Sequence, residues 1–91
     1  MASIIAQRVF LEIKTIARSD ASLQERRAKA ARRIDQFKAE FAAALVWPID
    51  TVKQIESLRK ALQRAATQHN LTAEENSVYA EALEVLMGQA H

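Results

Sequence analysis

One glycine, Gly88, and one proline, Pro48, are all the conformational punctuation this 91-residue chain contains. Tight sheet turns and bulges draw on Gly, Pro and Asn-Gly pairs, so few places remain where a strand could reverse. The intervening stretches are rich in Ala, Leu, Glu, Arg and Gln, which lose little on entering a helix. The pattern predicts an all-α chain, a small antiparallel helical bundle or open helical array of about four helices, with a break at Trp47-Pro48.

The apolar spacing places those helices. Ala6, Val9, Phe10, Ile13, Ile16 and Ala17 recur at three- and four-residue steps, marking one face of a first helix from about Ser3 to Arg18. Ser19-Asp20-Ala21-Ser22 interrupts it. Ser22-Leu23-Gln24-Glu25 then has the form of a capping box, opening a second helix that runs to about Val46. Leu23, Ala30, Ile34, Phe37, Phe41 and Leu45 form its seam. Pro48 has no amide proton and clashes with the carbonyl four residues back, so a straight helix through it is disfavoured, which leaves two separate helices or one kinked helix. A third helix carries Ile55, Leu58, Leu62, Ala65, Ala66 and His69 on one side and is expected to end at Asn70. Thr72-Ala73-Glu74-Glu75 is a second capping box. It leads into a helix with Val78, Tyr79, Ala82, Leu83, Val85 and Leu86 inward and a stop at Gly88.

Residues 1–91 are expected to form a single helical domain, because two would not fit this length. Nearly half the chain is apolar, but 18 of those residues are Ala, which leaves a thin core. The absence of Cys excludes a disulfide framework and thiolate chemistry. No signal-peptide pattern opens the chain, and no apolar run approaches the roughly 20 residues that span a bilayer, so the expectation is a cytoplasmic protein without membrane contact.

Catalytic groups are scarce. His69 and His91 are the only imidazoles, and no phosphate loop, dinucleotide fingerprint, nucleophile elbow or H-E-x-x-H motif occurs. Glu81 and Glu84 lack the His partner that a di-metal site on helices requires, and a solvated flank explains them. No enzyme activity, cofactor or metal is expected.

Three features suit binding. The net charge of +2 is unevenly distributed: residues 22–47 hold six cations against three anions, whereas residues 72–91 hold four Glu and no Lys or Arg. Arg26, Lys29, Arg32 and Arg33 form a basic flank on the second helix that could meet phosphates or an acidic partner. Glu74, Glu81 and Glu84 form an acidic flank on the last helix, and the two rows could instead neutralise each other within a chain or across a dimer. The first helix has a second apolar side, Ile4 and Leu11 with Ile5 beside them. Trp47 stands at the break, as a corner plug or an interface anchor. The sequence thus points to a non-enzymatic protein–protein interaction module, an adaptor, inhibitor, regulatory or assembly component. It would act as a homodimer or with a protein partner through Ile4, Leu11 and Trp47. The alternative is a nucleic-acid-binding accessory protein that uses the basic flank, and a small metabolite bound between helices is a third option.

Overall fold

The computed structural model describes residues 4–43 and 48–88, and the side chains of residues 5–40 and 52–88. Four helices account for nearly all of them: α1 (Ile4–Ala17), α2 (Leu23–Ala43), α3 (Pro48–Ala66) and α4 (Ala73–Leu86). There is no strand among the described residues. The Phe41 and Leu45 side chains, His91 and Trp47 lie outside the described residues.

Hydrogen bonds and ion pairs between helices fix their directions. The end of α1 meets the start of α2 through Ala17 and Arg26, and Glu12 meets Arg33 further along, so α1 and α2 are antiparallel. The starts of α2 and α4 meet at Arg26 and Glu74, and their far ends meet where Lys38 Nζ donates to the Val85 carbonyl at 3.0 Å. Those two helices are parallel. Asn76 of α4 reaches back to the Ala65 carbonyl of α3 at 2.8 Å, closing a second antiparallel hairpin.

In cross-section the helices are ordered α1, α2, α4, α3 around a square. The square is skewed, so that α1 and α4 also touch across one diagonal, whereas α2 and α3 scarcely meet among the described residues. The molecule is therefore two helical hairpins laid side by side. Since α3 runs opposite to α2, the two are separate helices and not one kinked helix. Pro48 is the first residue of α3, where its missing amide proton is one of the orphans of a helix start.

The core follows the predicted stripes. Val9 and Ile13 of α1, Ile34 and Phe37 of α2, Leu58 and Leu62 of α3 and Val78 of α4 are fully buried. Ala6, Ala17, Ala30, Ala65 and Ala82 stand between them and let the backbones approach closely. The radius of gyration, 12.6 Å, is that of a compact chain of this length, about 12 Å.

The helix ends show what the linear pattern does and does not contain. At α4 the Thr72 box is complete: Glu75 N donates to Thr72 Oγ1, and Thr72 N donates to Glu75 Oε1, both at 3.0 Å. At α2 only half of the box forms. Glu25 N donates to Ser22 Oγ at 3.1 Å, while the Glu25 carboxylate turns to Lys29 one turn on, at 3.4 Å.

The end of α3 differs from expectation. It stops at Ala66, and His69 lies exposed beyond the helix instead of facing inward. The reason lies in Asn76, whose amide donates to the carbonyls of Ala65 and Gln68. Thr67 and Gln68 meanwhile bond three residues back, tightening the last turn. With its final carbonyls satisfied by a neighbouring helix, α3 gains nothing from another turn. α4 ends at Leu86 with Met87 as its C-cap, and Gly88 takes a left-handed φ of +74°.

Candidate interaction surfaces

The basic flank of α2 is largely consumed by its own molecule. Arg26 is only 8% exposed. Its Nη1 donates to the Ala17 carbonyl at 2.9 Å, and its Nη2 pairs with Glu74. A cation therefore caps the negative end of α1 from a different helix. Arg27 pairs with Glu81 of α4 at 2.9 Å, and Arg33 pairs with Glu12 of α1. The acidic row of α4 thus neutralises part of the basic row of α2 within one chain.

Lys29 is exposed and sits beside Glu25, and Arg32 is exposed without an ion pair to any described residue. Of the four cations singled out in the sequence, two remain on the surface and two are turned to structural contacts. Helical spacing brought them to one face but did not show that the end of α1 and the flank of α4 lie against it.

α3 shows the same economy on its outer side. Arg59 Nε donates to Glu56 Oε1 at 2.6 Å, and Arg59 Nη1 donates to Gln63 Oε1 at 3.0 Å. The Arg59 hydrogen bond holds the Glu56 carboxyl below its ordinary range.

Gln54 has no counterpart in the sequence reading. It is buried on α3, and its Oε1 accepts from the Ala6 backbone amide at 2.9 Å. That amide lies in the first turn of α1, which has no intrahelical partner. A side chain 48 positions away thus closes the start of α1 and ties the two hairpins together. One Gln among charged neighbours carries no signal of this in the linear pattern.

The apolar outer side of α1 is real at Leu11, which is 57% exposed while the inner stripe of the same helix is sealed. Ile5 is 47% exposed, and the Ile4 side chain lies outside the described residues. Gln7, Arg8, Leu11, Glu12 and Thr15 line a shallow groove of about 360 Å³ along this side. Among the described residues, Val52 on α3 and Met87 beyond α4 are the other large apolar side chains that stand out.

A second depression lies at the end of the molecule where α1 meets the α3–α4 connection. It measures about 430 Å³ and is more enclosed than the groove on α1. Phe10 and Lys14 of α1, with Arg18 just past its end, form one wall at four-residue steps, and Glu75 and Tyr79 of α4 form the other. Ala65, Gln68, Asn70 and Leu71 close the floor and end. Phe10 and Tyr79 stack with ring centroids 5.7 Å apart. Burial raises the Tyr79 phenol above its ordinary pKa, with Glu75 adding to the shift and Arg18 opposing it.

Among the described residues no three His, Cys, Asp or Glu side chains gather to hold a metal, and no helix is long and apolar enough to cross a membrane. Comparison of the chain with family models, curated proteins and solved structures finds no match.

Proposed function

We propose that the chain is a non-enzymatic protein–protein interaction module that self-associates through the outer side of α1. The observation that carries this reading is Leu11, a large apolar side chain held in water at the middle of a helix whose opposite stripe is fully buried. A surface of that kind loses unfavourable hydration when covered.

The second copy is favoured as the partner because the groove is self-complementary. Arg8 and Glu12 bracket Leu11 one turn apart. In a twofold antiparallel pairing each would face its opposite on the other copy, and the two Leu11 side chains would meet near the axis. Glu12 Oε1 is engaged by Arg33, which leaves Oε2 for such a contact. A 14-residue helix is about 21 Å long, so the contact falls at the small end of specific interfaces, and a dissociation constant of about 1–100 µM is expected.

Sedimentation velocity across a concentration series tests this. The parent chain should shift from monomer to dimer, and Leu11→Lys should stay monomeric with unchanged helicity. Arg8→Glu and Glu12→Arg should each weaken association, and combining them should restore it. A parent that stays monomeric up to about 1 mM, or a Leu11→Lys variant that dimerises normally, would overturn the proposal.

A further inference from the structure

The cleft between α1 and the α3–α4 connection combines features that the fold itself does not use. Tyr79 is 3% exposed, yet its hydroxyl makes no hydrogen bond to any described residue and is not sealed from solvent. It therefore opens into the cleft that the side chain lines. The phenol ring is buried while its hydroxyl reaches the cleft, where a ligand oxygen can replace water as its partner.

Lys14 and Arg18 overlook the same space and form no ion pair with a described residue, whereas Arg26, Arg27 and Arg33 on α2 are all paired. The side-chain amides of Gln68 and Asn70, which also line it, make no hydrogen bond to a described residue. Glu75 is the single anion of the lining, and its Oε1 is held by the Thr72 amide in the capping box. Two cations and three neutral polar groups thus line the cleft beside the partly exposed apolar side chains of Phe10 and Leu71. The volume lies within the range of small-molecule sites, about 300–1,000 Å³.

We infer that this cleft binds a small organic carboxylate carrying an aromatic body. The carboxylate would sit between Lys14 and Arg18 and accept from the Tyr79 hydroxyl, with the ring laid against Phe10 and Leu71. Arg18 suits this task because its planar fork matches a carboxylate. An isolated anion would leave the apolar surface uncovered, and a neutral aromatic would leave both cations without a counter-charge. The inference is independent of self-association, because the cleft lies to one side of the Leu11 groove and shares no lining residue with it.

The test is a titration of the full chain followed by NMR at pH 7. Tyr79 is the sole tyrosine, so its ring resonances report the cleft without ambiguity. 3-Phenylpropionate should shift those resonances and the Arg18 guanidinium saturably, with a dissociation constant of about 1 mM or tighter. Its amide should bind at least about tenfold more weakly, as should inorganic phosphate. Arg18→Gln and Lys14→Gln should each weaken binding about fivefold or more, with the melting temperature and the Leu11-dependent dimer unchanged. Tyr79→Phe should keep the fold and also weaken binding.

Four outcomes would overturn the proposal. They are no saturable shift up to about 10 mM, equal binding of acid and amide, phosphate binding as tightly as the acid, or tighter binding of the tripeptide Ala-Ala-Phe. The last would make the cleft a reader of peptide carboxyl termini.

Discussion

Replacing Arg26 with Met asks whether the most buried cation of the molecule is structural. Met retains an apolar stem of similar reach and removes only the guanidinium, so packing changes little. Three contributions decide the magnitude. The charge-assisted bond from Nη1 to the Ala17 carbonyl stabilises by about 1.5–3 kcal/mol. The pair with Glu74 adds less than about 1 kcal/mol, because the Glu74 side chain is 59% exposed and well hydrated on its own. Against these, Arg26 Nε is buried without a partner, and removing it relieves about 1 kcal/mol.

The net loss is about 2 kcal/mol, which for a chain of this length lowers the melting temperature by about 8–16 °C. Urea denaturation followed by circular dichroism measures it, with Arg32→Met as the control. Arg32 is exposed and forms no ion pair with a described residue, so its replacement should stay within about 0.5 kcal/mol of the parent. If Arg26→Met also fell within that margin, the cross-helix cap would have no energetic weight and the reasoning would be refuted.

Two further outcomes follow from the same geometry. Gln54→Leu should cost about 1–3 kcal/mol, because the Ala6 amide loses its acceptor in a buried setting, and hydrogen exchange at Ala6 should accelerate more than at Ile13. An unchanged Ala6 exchange rate would count against a tertiary cap at the start of α1. Tyr79 gives the pH dependence: its folded pKa is raised, chiefly by burial, so the folded state favours the neutral phenol. That contribution is complete below the unfolded value near 10 and is lost as pH rises through the folded value. Alkaline melting curves should therefore fall more steeply for the parent than for Tyr79→Phe, and parallel curves would contradict the assignment.

The buried stripes were readable because helical periodicity records which side of a helix meets its neighbours. Val9 and Ile13, Ile34 and Phe37, and Leu58 and Leu62 fell where spacing put them. So did the Thr72 box, whose two partners lie three residues apart. The misreadings share another character. The apolar pattern of α3 extends to His69 and predicts it inward, but the helix end is set by Asn76 from another element. Arg26 looked like a surface cation because its partners, Ala17 and Glu74, belong to α1 and α4. Gln54 carried no signal because its use depends on a backbone amide 48 residues earlier. Local chemistry was legible, and polar contacts that depend on which helices become neighbours were not.

The side-by-side hairpins also set the order in which the molecule can assemble. Each hairpin closes a short loop, residues 18–22 or 67–72, at small entropic cost. Neither hairpin alone covers its own apolar stripe, since α2 rests on α4 and α1 on α3. The free-energy barrier to folding should therefore lie at the docking of two preformed halves, where Phe37 and Val78 leave water together.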